Sequence, residues 1–245
     1  MIKIVFHVAK VIMAAVAALL FCSCGFEGSL KRVDGSGNVT TEQRKLNGVF
    51  NAVSAGNGLE IVIEQGQPAA VTVEADDNIQ QYIKTEVKGN ELQISSDVNL
   101  GNTTARKVIV RLPEIEALES SGGCSVKSKG TLKAGKITLA SESGSSMAVG
   151  IVAETIKCSA SSGSSMELLG KTGDLMAESS SGSSLDAAKL TAETATGEAS
   201  SGSTTILNPL RALNATASSG ASVRYVNTPE KLTKHSSSGG SVSQN

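Results

Sequence analysis

The sequence predicts an all-β protein in which a strand-rich N-terminal part leads into a β-solenoid, parallel β-helix-like, with coils of about 19–20 residues. Three observations predict it. A Ser-Gly motif recurs seven times down the C-terminal half. Apolar residues keep a fixed phase relative to its glycine. Aromatics make up 2% of the chain and Trp is missing, so Val, Ile, Leu, Met and Ala must fill the core. Side chains that small suit a thin repetitive architecture better than a thick globule.

The chain opens with a targeting segment, residues 1–24. Lys3 and Lys10 supply positive charge, and an apolar run from Val11 to Phe21 follows. The run is too short to span a bilayer comfortably and fits the core of a secretory signal. Phe21-Cys22-Ser23-Cys24 then resembles a loose lipobox, which makes Cys24 the expected site of lipidation and the lipid the expected membrane anchor. Residues 25–45 are polar and Gly-containing, and read as a tether. The localisation that follows is an exported outer-membrane lipoprotein of the cell envelope, on its periplasmic or its surface face.

Residues 46–113 carry strand signals. Leu59–Glu64 alternates apolar and mostly polar residues, and Val71–Glu74 alternates again. Asp76 and Asp77 suit the cap of a short helix over Asn78–Ile83. Thr85–Val87 and Leu92–Ile94 flank Gly89-Asn90 as a hairpin. Lys107–Leu112 is a further strand, stopped by Pro113.

Residues 114–245 are the repeat. Its glycines, Gly123, Gly144, Gly163, Gly182, Gly202, Gly220 and Gly239, are 21, 19, 19, 20, 18 and 19 residues apart. One position later all residues are small: Cys124, Ser145, Ser164, Ser183, Ser203, Ala221 and Gly240. Two later all carry hydroxyls: Ser125, Ser146, Ser165, Ser184, Thr204, Ser222 and Ser241. Three later most are apolar: Val126, Met147, Met166, Leu185, Thr205, Val223 and Val242. Alternation points the first and third columns inward and leaves the hydroxyls as a surface ladder. A second apolar column, Ile137, Ile156, Leu175, Ala195, Leu213 and Leu232, lies seven residues before the glycines. Gly122-Gly123 reads as a one-residue insertion in the first copy. Like residues then stack from coil to coil at about 4.8 Å. A propeller blade needs about 40 residues or more, twice the period found.

In this order the motifs resemble a known family. Gly35-Ser-Gly-Asn-Val39, Phe50-Asn-Ala-Val53, Gly58-Leu-Glu-Ile-Val-Ile-Glu-Gln-Gly66, Asn90-Glu-Leu-Gln-Ile94 and the Ser-Gly-Ser repeats are similar to the bacterial putative autotransporter adhesin, head GIN domain family. Where the family name implies Gly-Ile-Asn, this chain has Gly56-Asn57-Gly58. The resemblance covers most of residues 33–245. It implies a β-rich exported protein of the kind found among Bacteroidetes-like lipoproteins, with adhesion as the named role.

Chemistry is sparse. A net charge of −1 gives no steering toward nucleic acid. Cys124 and Cys158 sit at different phases of the repeat and read as small buried residues. Without a CxxC or a Cys/His cluster, no cofactor or metal is expected. His7 and His235 are the chain's histidines, so a Ser/His/Asp triad would rest on His235 near the C-terminus. Glu142, Glu178 and Glu198 lie near the glycines. Glu178 and Glu198 are each four residues before theirs, so they stack on neighbouring coils, where a carboxylate pair suits a glycosidase. The expectation is a non-enzymatic envelope module binding a protein or glycan, the hydroxyl ladder being the one regular surface feature. The alternative is a carbohydrate-active enzyme on a β-helix, which needs a cleft with paired acids on neighbouring coils. The open end of the stack near Val242 is a sheet edge suited to self-association.

Overall fold

A computed structural model describes residues 31–245. The signal segment, Cys24 and the first part of the tether lie outside the described residues. From Val33 onward the chain forms one compact unit.

The N-terminal strands are β1 (Arg32–Val33), β2 (Val39–Arg44), β3 (Ala52–Ala55), β4 (Glu60–Gln65), β5 (Ala70–Asp76), β6 (Ile83–Lys88), β7 (Glu91–Ser96), β8 (Asn99–Leu100), β9 (Arg106–Leu112) and β10 (Ala117–Ser120). The coils follow as β11 (Ser125–Ser141), β12 (Ser146–Ala160), β13 (Ser165–Ser179), β14 (Ser184–Ala199) and β15 (Thr204–Ala217). The last coil is shorter: β16 (Ser222–Tyr225), β17 (Lys231–Ser236) and β18 (Ser241–Gln244).

Two stacks of rungs build the solenoid. In one, the first halves of β11 to β15 pair in parallel, continuing through β16 to β18 at one end and through β4 to β9 at the other. In the other, their second halves pair in parallel, continuing to β17 at one end and through β10 and β3 to β7 at the other. The N-terminal end is closed by antiparallel strands, β5 then β2 on one stack and β6 on the other. The parallel ladders are covered in this way, and the outer sheet edges at this end are those of β2 and β6. At the far end β17 and β18 are the last rungs, and Leu232 and Val242 are only half-buried.

One core runs the whole length, from Phe50 through Leu112, Ile115 and Val126 to Tyr225, with no break where the repeat begins. Register keeps like on like. Val126, Met147, Met166, Leu185, Thr205 and Val223 stack in one buried column, and Ile137, Ile156, Leu175, Ala195 and Leu213 in a second. A third tapers from Leu118 and Leu139 through Cys158 and Ala177 to Gly197. A Cβ on Gly197 would lie 2.5 Å from Leu207 Cδ1, so the opposite wall fills that space.

Three expectations need correction. Val39–Arg44 is a strand and not tether: it pairs antiparallel with β5 along six positions. Its side chains are exposed or, for Arg44, half-buried, so no apolar periodicity announces it. The helix over Asn78–Ile83 is one 3-10 turn, Gln80–Tyr82, with no side-chain cap; Asp76 and Asp77 turn elsewhere, as described below. Gly122-Gly123 is no insertion. Gly122 has φ 57° and occupies the place that a serine takes in later copies. The surplus residues of the first coil sit at the opposite corner, where pairing shifts between Lys127 and Thr131.

Candidate functional site

The Ser-Gly turns have a specific conformation. In Glu142-Ser143-Gly144-Ser145 both central residues have positive φ, 52° and 70°, and Ser145 N–H donates to the Glu142 carbonyl at 3.1 Å. This is the I′ pattern, which needs two left-handed residues in a row. Ser162, Ser181, Ser201 and Ser219 repeat the φ of 52°. The strain is offset by stacking: each turn glycine N–H donates to the left-handed serine carbonyl of the next coil, Gly144 to Ser162 and Gly163 to Ser181, both at 3.0 Å.

The small column after the glycine is a buried hydrogen-bond spine. Ser164 Oγ accepts from Ser161 N–H at 3.0 Å and donates to the Ser141 carbonyl of the preceding coil. Ser145 and Ser183 do the same, donating to Ser120 at 2.9 Å and to Ala160 at 2.8 Å. These hydroxyls have no freedom to meet a ligand.

The hydroxyl column runs in register over seven rungs, Ser125, Ser146, Ser165, Ser184, Thr204, Ser222 and Ser241. Four of these are exposed, and Ser125, Thr204 and Ser222 are half-buried. At the capped end the column meets Glu60 and then Lys107.

On the other side of the turns the strands bound a shallow groove of about 330 Å³. Glu142, Glu178 and Glu198 line it together with Ser161, Ser180 and Ser200. No Lys or Arg lines it. A smaller hollow of about 140 Å³ continues onto Met176 and Thr196, and Met176 is 49% exposed. Glu178 and Glu198 face each other across β13 and β14 in direct register. Like charges on adjacent strands repel, so they are tolerated only because both reach water. Sequence reasoning placed these two acids by their shared offset. It missed the groove, which depends on how far the turns stand out from the sheet.

The remaining candidates lie elsewhere. His235 is exposed on β17, opposite Thr216. Two further acids on the coils, Asp174 and Asp186, bond separately: Asp174 accepts from Thr194 Oγ1, and Asp186 from Ala188 N–H at 2.9 Å. Burial pushes the Cys158 thiol up to about 12, which makes it inert, and burial raises Cys124 too. Both are free thiols. Among the described residues no group of three or more His, Cys, Asp or Glu is placed to hold a metal ion.

Comparison with known proteins fits this geometry. A family model described as "Putative auto-transporter adhesin, head GIN domain" matches residues 49–229. No curated protein matches the chain. A putative adhesin from Bacteroides fragilis NCTC 9343 has a similar solved structure, with a TM-score of 0.81 at 17% identity, covering 87% of this chain and 100% of that one. A putative lipid binding protein from Parabacteroides distasonis ATCC 8503 matches with a TM-score of 0.70 at 19% identity, covering 88% and 100%. A putative adhesin from Parabacteroides merdae ATCC 43184 matches with a TM-score of 0.70 at 15% identity, covering 88% and 99%. At such identities the likeness is one of fold.

Proposed function

Because the chain belongs to the putative auto-transporter adhesin, head GIN domain family, we propose that it is a non-enzymatic interaction module of the bacterial cell envelope. Its contact surface is the groove beside the Ser-Gly turns. One observation carries this reading: the groove repeats hydroxyls and carboxylates at strand spacing over several coils, with no cation lining it. Such a surface suits an extended partner rich in donors, a glycan or a basic protein segment.

The paired acids also meet the first requirement of a glycosidase, so that reading has an observation behind it. Catalysis asks for more. A sugar-processing site also has to hold the rings of its substrate, and the groove around the two exposed acids has no aromatic side chain in its lining. Glycan-array and whole-cell binding by the labelled protein tests both readings. The charge reversals Glu178→Lys and Glu198→Lys together are expected to weaken binding at least about tenfold, or 1.4 kcal/mol. Unchanged binding would remove the groove from the reading. Release of reducing ends from a bound polysaccharide, lost in Glu178→Gln, would replace it with the enzyme.

The localisation we propose rests on the sequence of residues 1–24, and the family's adhesin description agrees with an envelope protein. The protein is exported and held to the outer membrane by a lipid on Cys24. Metabolic labelling with a fatty-acid probe should mark the protein, and Cys24→Ala should lose the mark and move to the soluble fraction. A membrane-bound Cys24→Ala protein would sink the anchor. Protease treatment of intact cells separates the faces: a protein that survives it is not on the surface, and adhesion would fall with it.

A further inference from the structure

Every coil between the two ends of the solenoid is held twice, by ladders on both sides and by inward columns. The segment that leads into the fold is held differently. In β2 every residue from Val39 to Gln43 is exposed, and Val39, its one apolar member, is 39% exposed. Burial of apolar area therefore adds little to its attachment. Polar contacts take its place, and they gather at the two ends of the strand.

Ahead of β2, residues 33–38 are bonded at nearly every position. Asp76, fully buried, accepts from Gly37 N–H at 3.1 Å, and also from Thr104 and Ala105 N–H at 3.1 and 2.9 Å. Asp77 accepts from Ser36 Oγ and from Asn38 Nδ2. Asn78 accepts from Ser36 N–H and donates to the Asp34 carbonyl, both at 2.9 Å. Gly35 N–H donates to Asn102 O at 2.7 Å, and Gly101 N–H donates to Val33 O at 2.9 Å. A Cβ on Gly35 would lie 1.7 Å from Asp76 Oδ2, so the loop closes directly over that carboxylate. Alongside β2, Gln80 is 8% exposed and donates from Nε2 to the carbonyls of Thr40, near the start of the strand, and of Val73. Arg44 NH2 donates to Gln80 O and Oε1 at 2.8 and 3.0 Å.

We propose that residues 33–44 form a clasp, a loop and strand fastened by polar contacts, which opens as one unit under tension from the N-terminal side while the coils stay folded. Within the clasp Val33 is the residue that packs against the core, so opening gives up the apolar burial of one side chain. It frees about twelve residues, which span up to roughly 40 Å when extended, so the length gained is that span less the distance they already cover in the fold. An interaction module on a tether gains compliance from such an element: a load lengthens the connection before it disrupts the surface that binds. A locally low-stability unit that opens on its own, within a structure of high global stability, is a familiar behaviour of folded chains.

The test is single-molecule force spectroscopy on the full chain, pulled through peptide tags at its two ends. The expected trace shows a reversible step, shorter than roughly 40 Å, before the coils unravel. Asp76→Asn is expected to lower the force of that step or abolish it, and Gln80→Ala to lower it. Asp77→Asn, at an exposed carboxylate, serves if Asp76→Asn does not fold. Ser165→Ala on the hydroxyl ladder should leave the step unchanged. A trace in which residues 33–44 release only together with the coils overturns the clasp. So does a step whose force is the same in the wild type, Gln80→Ala and Asp77→Asn.

Discussion

Gly170→Ala is expected to destabilise the protein by about 4 kcal/mol or more, among the largest effects a single methyl produces. Gly163→Ala, in the conspicuous turn motif, is expected to cost only about 1–2 kcal/mol. Two terms separate them. Gly170 has φ 128°, outside the small left-handed region that other residues visit. Its added Cβ would also lie 1.9 Å from the Ile151 carbonyl oxygen and 2.9 Å from its carbon. Those are backbone atoms of the adjacent strand, locked by the pairing of Ile151 with Gly170. No rotamer change relieves that clash. Gly163 has φ 71°, and a Cβ there meets nothing within 4 Å. Its neighbour Ser162 already holds a left-handed φ of 52° with a side chain in place. Urea unfolding followed by far-UV circular dichroism measures both. Equal midpoints for the two variants would refute the distinction.

The contrast shows what was legible in the chain. The turn glycines stand out because seven copies align on them, and alignment reveals phase. From phase came the inward columns, the outward hydroxyls and the stacking of Glu178 on Glu198. Gly170 occurs once in its column, so nothing in the sequence marks it. The left-handed serines before the glycines were hidden for another reason. Serine carries no preference for positive φ, and it adopts it here because its carbonyl bonds the glycine of the preceding coil. The sequence marks the serines after the glycine only as small and inward-facing, but their buried hydroxyls join one coil to the one before it. The 3-10 turn in place of a helix is the same lesson at long range. Asp76 and Asp77 have the chemistry of caps, but backbone and side-chain donors 39 to 41 residues earlier claim them. Periodicity reports burial, and β2 buries almost nothing, so a strand that closes the fold looked like tether.

Acid is expected to open the N-terminal end of the fold before it unfolds the coils. Burial acts to raise the Asp76 carboxyl, but hydrogen bonds from Ala105, Thr104 and Gly37 outweigh it and hold the group below its ordinary 3.8. Asp77 is also lowered, by its hydrogen bonds from Ser36 and then Asn38. A carboxyl with a depressed folded value contributes stability that is fully present above the unfolded value of 3.8, and loses it as pH falls through the lower folded value. Near neutral pH the attachment is therefore insensitive to pH, and it weakens only below about pH 4. Protonation removes acceptor capacity facing the N–H groups of Gly37, Thr104 and Ala105; these bonds are part-buried, so the roughly 1–3 kcal/mol of a fully buried bare donor is an upper limit for each. The protein avoids that cost by letting the loop go and admitting water, so the loss is capped by the stability of the clasp itself. The inward columns of the coils carry hydroxyls, thiols and hydrocarbon and no carboxylate, so acid reaches the coils only through ion pairs outside the core, such as Lys129–Glu64 and Lys189–Glu167. Nuclear magnetic resonance of the labelled protein, titrated from about pH 7 to about pH 2, follows the two regions separately. Amide signals of Val39–Arg44 should leave their folded positions first, while those of β12 to β14 persist. In Asp76→Asn, which has a single acceptor oxygen at every pH, the Val39–Arg44 signals should be displaced already at neutral pH, with no further transition assigned to that residue. Loss of both regions at one pH would show that the carboxylates stabilise the whole solenoid and not its N-terminal fastening.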